Sequence, residues 1–137
     1  MSQLSDLDIA VARAISSVPE CLFAGYVDVA SGLLLSIKTV ETHPNEVVDL
    51  VAAATADLFQ GQNVSTVEMI MKKARGIEST RRYIQEIIVN SENLYHIFIR
   101  GKKYQEYVAV FACRTSANLG MVLTKSRAAV PIIESAV

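Results

Sequence analysis

Residues 21–38 read CLFAGYVDVASGLLLSIK, two runs rich in aliphatic and aromatic side chains with a break at Ala30-Ser31-Gly32. Small, turn-forming residues between two apolar runs spell a β-hairpin: one strand over 21–29, a tight turn, and a second strand over 33–38. Asp28 stands just before the bend, where a side-chain acceptor stabilises a turn. Both runs are apolar on both faces near their middles, which predicts a central place in a sheet rather than a bare edge.

Outward from the hairpin the periodicity changes. Upstream, Leu4, Leu7, Val11, Ala14, Ile15 and Val18 recur at helical spacing. Ser2 or Ser5 can cap this helix, Asp6 and Asp8 suit the positive end of its dipole, and Pro19 closes it. Downstream, EVVDLVAAATADLFQ at 46–60 is helical, with an apolar arc of roughly 200° where a surface helix needs roughly 100°. Gly61 interrupts it. NVSTVEMIMKKAR then resumes the helical period up to Gly76, which suits a C-cap; the sequence leaves one bent helix or two open, and two is the preferred reading. Three strand-like runs follow: IQEIIVN, polar enough for an edge, LYHIFIRG, and YQEYVAVFACR, apolar enough for the centre. SANLGMVLTKSRAAVPIIESA is a closing helix that Pro131 should kink or end early. The order α-β-β-α(α)-β-β-β-α predicts an α+β fold: one five-stranded antiparallel sheet sandwiched by helices, in a single domain over 1–137.

The 137 residues are 51% hydrophobic and 20% charged, with a net charge of −1. No global basic field exists to hold nucleic acid or an anionic membrane. The opening MSQLSDLD lacks the basic segment of a secretory signal, and no apolar run reaches the roughly 18 residues of a membrane span. A cytoplasmic protein without membrane insertion is expected. The two cysteines, Cys21 and Cys113, sit in apolar surroundings without a CxxC pair. Buried free thiols are the reading, a disulfide the alternative.

Chemistry-bearing patterns are sparse. His43 falls in a turn, and His96 alternates with Leu94 and Phe98 inside a strand, where a backbone or water partner is the ordinary fate of a histidine. No metal-binding cluster or nucleophile motif is present, and no cofactor is expected. The Gly101-Lys102 pair lies between strands and lacks the following Ser or Thr of a phosphate loop. The strand acids Asp28 and Glu106 could be imagined as an acid/base pair, but Asp28 already has a turn to stabilise.

Taken together, VPECLFAGYVDVASGLLLS and EYVAVFACRTSANLGMVLTKSRAAVPIIE resemble the Roadblock/dynein light chain family. Asp28, Ser31, Gly32 and Leu35 fill the places of that family's first hairpin, and Ala117-Asn118-Leu119-Gly120 the start of its last helix. The segment 44–83 is longer than the single helix the family places there. The resemblance implies a Roadblock-like domain: a non-enzymatic homodimer that serves as a platform for a small Ras-like GTPase in polarity, motility or signalling. A small-molecule sensor and a dimerisation module without a GTPase are the alternatives. For the dimer contact, Val48, Ala52, Thr55 and Phe59 are assigned to the second subunit together with Ile88, while Val47, Val51 and Leu58 seat on the chain's own sheet. The reverse assignment fits the helical wheel equally well. Arg75, Arg81, Arg82, Arg100, Lys102 and Lys103 are the cations expected to face a partner.

Overall fold

A computed structural model describes residues 5–40, 45–78 and 81–137, with side chains between 45 and 50 left undescribed. The elements are α1 (Asp6–Ser17), β1 (Cys21–Asp28), β2 (Leu33–Thr39), α2 (Asn45–Gln60), α3 (Gln62–Ala74), β3 (Glu86–Asn90), β4 (Leu94–Arg100), β5 (Tyr107–Arg114) and α4 (Leu119–Ser135). The five strands form one sheet in the order β2-β1-β5-β4-β3, every neighbouring pair antiparallel. The expected α+β architecture is therefore the observed one.

Local chemistry sets the boundaries. The Ser5 hydroxyl accepts a hydrogen bond from the Asp8 amide at 3.1 Å and so caps α1; Ser2 lies outside the described residues. In the hairpin turn, Asp28 accepts from the Ala30 amide at 3.0 Å, and Gly32 takes a φ of 74° that a side chain would resist. Gly61 divides α2 from α3, and a Cβ at that position would stand 2.7 Å from the Asp57 carbonyl oxygen. Gly76, at φ 67°, lies one residue beyond the C-cap of α3. Asn118 caps α4 by accepting from the Met121 amide.

The sheet buries both faces. On one, α1 and α4 contribute Val11, Ala14, Val122 and Ile133 to a core with Tyr26, Ile97 and Phe111. On the other, Ala52 and Phe59 of α2 pack with Val27, Phe98, Val108 and Val110. As expected, β5 is central and β3 is an edge.

Two expectations are corrected. The hairpin is not wholly central, because β2 forms the other edge of the sheet. α1 and α2 both pack on it, while Leu33 and Leu35 remain exposed. Of the two outcomes expected at Pro131, a kink or an early end, the early end does not occur: the helix continues to Ser135. Val130, Ile133 and Glu134 are buried around it, and that packing outweighs the hydrogen bond that a proline cannot donate.

Candidate interaction surface

The wide arc of α2 resolves into an inner and an outer side. Ala52 (2% exposed), Thr55 (0%) and Phe59 (0%) are buried within the chain. These three residues, assigned from sequence to a second subunit, face the chain's own sheet instead. Phe59 carries the reason: its ring lies 6.5 Å from that of Phe98, and the largest side chain on the arc buries the most apolar area. Thr55 joins that stripe because its hydroxyl donates back to the Val51 carbonyl oxygen at 2.8 Å. Val51 and Leu58, expected inside, are half-buried, and Ala53, Ala54 and Asp57 are exposed. The side chain of Val48 lies outside the described residues. The spacing of Ala52, Thr55 and Phe59, with the only aromatic at its end, is the signal that could have oriented the helix.

Ile88 is 43% exposed on β3, and its neighbour Val89 is 40% exposed on the opposite face. β3 pairs with β4 alone and without irregularity, Glu86 opposite Ile99 through Asn90 opposite Tyr95. Among the described residues, its outer row of backbone donors and acceptors has no partner strand.

The six expected partner cations divide into two groups. Arg100 is 1% exposed. Its Nε donates to the Ile84 carbonyl oxygen at 2.8 Å, its Nη1 to that of Gln105 at 2.6 Å, and its guanidinium sits 4.9 Å from the centre of the Phe59 ring. Burial pulls its pKa below the usual arginine range. Arg82 is half-buried and pairs with Glu68 at 2.6 Å while also donating to the Phe59 carbonyl oxygen at 3.1 Å. These two arginines are therefore corrected from partner cations to structural ones: they fasten the α2–α3 joint to the sheet. The alternation in IFIR carried the signal, since Arg100 follows Phe98 on the same face of the strand.

Glu68 completes this cluster, and sequence reasoning does not single it out. It is the buried residue of α3, and besides Arg82 it accepts from the Tyr83 and Ile84 amides at 2.8 and 3.0 Å. Burial pushes its carboxyl group up, but the Arg82 guanidinium and these two amides outweigh it and hold the group below the usual range. An acid flanked by Val67 and Met69 is the available clue.

Arg75, Arg81, Lys102 and Lys103 are exposed. Lys72 donates to the Arg81 carbonyl oxygen, and Arg81 to that of Lys102 at 3.4 Å, which draws the end of α3 and the β4–β5 loop together. The loop is held from beneath by the buried carboxylate of Glu134, which accepts from the Lys102, Lys103 and Tyr104 amides at 3.3, 2.8 and 2.9 Å. Beside this basic edge α3 exposes Val67, Met69 and Ile70. The helix thus turns a glutamate inward and aliphatic side chains outward.

The remaining candidates have structural partners. Asp28 caps its turn, and Glu106 accepts from the Gln60 amide group. His96 Nε2 lies 3.1 Å from the Ser91 hydroxyl, and burial lowers its pKa. Among the described residues, no group of three His, Cys, Asp or Glu could hold a metal ion, and no helix is long and apolar enough to cross a membrane.

No family model matches the sequence, and no curated protein does. Solved structures do match along the whole fold. The chain is similar to MglB of Myxococcus xanthus (13% identical, covering 98% of this chain and 96% of that one, TM-score 0.72). It is similar to a Roadblock/LC7 domain from Streptomyces avermitilis (14%, 96% and 97%, TM-score 0.69). It is also similar to the gliding protein MglB of Thermus thermophilus (17%, 96% and 90%, TM-score 0.68). At these identities the likeness is one of architecture, and the architecture is that of the Roadblock/LC7 domain.

Proposed function

We propose that the chain is a non-enzymatic homodimeric scaffold that binds a small Ras-like GTPase in a polarity, motility or signalling system. The observation that carries the dimer is the β3 edge, regular along its length with Ile88 and Val89 exposed. An aliphatic edge strand with unpaired backbone groups invites a further strand unless it is covered. A second copy pairing there would extend the sheet across the two-fold axis, with Val48 kept as a contact between neighbouring α2 helices.

The partner half of the proposal rests on the shared architecture, since the similar structures include a gliding protein. It also rests on the exposed cations Arg75, Arg81, Lys102 and Lys103 around the aliphatic ridge of α3. Light scattering at micromolar concentration is expected to give the mass of two chains, and a monomer would overturn the dimer. Ras-like GTPases encoded by the same genome, loaded with GDP or a non-hydrolysable GTP analogue, are expected to bind in at least one state. Failure of all of them in both states would remove the GTPase and leave the scaffold.

A further inference from the structure

The two cysteines stand opposite one another on adjacent strands, and a defect in the sheet puts them there. From Asp28 opposite Tyr107 to Phe23 opposite Ala112, β1 and β5 pair in constant register. Continued regularly, that register would set Leu22 opposite Cys113 and turn the Cys21 side chain to the other face. Instead the register shifts between Cys21 and Phe23, and Cys21 becomes the partner of Cys113. Both thiols then point into the cluster beneath α1 and α4, with Cys21 7% exposed and Cys113 fully buried.

The shift coincides with backbone strain. Glu20, immediately before β1, has a φ of 53°, a conformation unusual for a residue with a side chain. Its carbonyl oxygen nevertheless accepts from the Arg114 amide at 3.0 Å, so the shifted pairing continues through it. Bulges of this kind re-aim a side chain. Antiparallel partners have Cα atoms about 4.5–5.5 Å apart, inside the roughly 4.4–6.8 Å that a disulfide requires.

We propose that Cys21 and Cys113 form an oxidative modification site that closes to an intramolecular disulfide on exposure to peroxide. The Cys21 thiolate attacks one peroxide oxygen and becomes a sulfenic acid, with a water released on protonation. The Cys113 sulfur then displaces the hydroxyl group from Cys21, giving the S–S bond and a second water. Two thiols have lost two protons and two electrons, and one peroxide has been reduced. A hydrogen bond from Cys113 draws the Cys21 thiol below the usual thiol range while Cys113 itself is pushed up, so the more accessible sulfur is the one set to react first. The bond would staple the two central strands, on the face of the sheet opposite α2, and its test is independent of the proposed dimer and GTPase.

The test uses the reduced full chain, incubated natively with hydrogen peroxide, then denatured, alkylated and weighed. With two cysteines in the chain, the pairing is unambiguous. The expected product takes up no alkylating agent, is about 2 Da lighter than the reduced chain, and is restored by dithiothreitol. Its melting temperature is expected to rise by roughly 5–15 °C. In Cys113→Ser, which keeps a hydrogen-bond donor beside Cys21, the same treatment should leave a sulfenic acid on Cys21 that dimedone traps. Two alkylatable thiols after treatment, oxygen adducts without a cross-link, or a disulfide between two chains would each overturn the proposal.

Discussion

The sheet has two edges, and the molecule treats them differently. At β2 the register slips between Tyr26 and Val27, leaving Leu35 without a partner across the ladder, and α1 and α2 pack on the strand. A bulge twists an edge away from further pairing. At β3 the ladder is regular, and the strand meets α4 through the exposed Arg127–Glu86 salt bridge at 2.8 Å. Aliphatic side chains are visible at both edges, with Leu35 at 38% exposure and Ile88 at 43%. Hydrophobic exposure therefore does not distinguish them. Backbone regularity does, and it marks β3 as the edge that can accept another strand.

Substituting the two edges separately puts that contrast at risk. Ile88→Lys is expected to weaken the proposed dimer by about 3–6 kcal/mol, since a two-fold interface loses each buried isoleucine twice. Leu35→Lys should leave the assembly unchanged. Equal masses for the two variants in light scattering would end the distinction between the edges. A smaller effect is expected where β3 is anchored to the rest of the chain. Glu68→Ala removes the acceptor shared by Arg82 and by the amides of Tyr83 and Ile84. The Arg82 side chain keeps 26% exposure, so water offsets part of the loss, and a destabilisation of about 2–4 kcal/mol is expected by denaturant titration. A change below about 1 kcal/mol would show that the segment before β3 is held by packing rather than by this carboxylate.

The contrast between edges also shows where sequence reading stops. Pro19, the Ser31-Gly32 turn, Gly61 and Gly76 mark their boundaries through local backbone chemistry, and the elements fall where those residues require. Strand order is not local: β2 is apolar in sequence although Leu33 and Leu35 stay exposed at the edge, and that pattern is the same as a central strand's. The side of α2 that faces the sheet is ambiguous in sequence because alanines and valines spread evenly round the arc, leaving the bulk of Phe59 as the discriminating feature. Arg100 reads as a hairpin-tip cation until its carbonyl partners and the Phe59 ring are in place, since burial of a charge depends on acceptors supplied from elsewhere in the chain. The pairing of Cys21 with Cys113 depends on a one-residue bulge that composition does not disclose. The exposure of Ile88, Arg75, Arg81, Lys102 and Lys103 was legible, since it follows from position on an edge, at a helix end or in a loop.

The smallest effect belongs to the protected edge. Ser36 is 5% exposed on β2, and its hydroxyl donates to the Asp8 carboxylate of α1 at 2.5 Å. That bond, followed by the one from Ser5, holds Asp8 below its ordinary pKa of 3.8. A carboxyl group depressed in the folded state adds stability that is fully present above its unfolded pKa and is lost as pH falls through the folded one. Asp8 is half-buried on a surface helix, so water screens part of the effect, and Ser36→Ala is expected to cost about 0.5–1 kcal/mol at pH 7. Denaturant titrations of wild type and variant should show this gap narrowing as the pH falls through the lowered folded value, below which both proteins carry a neutral Asp8. A gap of the same size at both pH values would mean that the serine holds β2 through shape alone, and the charge-assisted tie between α1 and the protected edge would have to be given up.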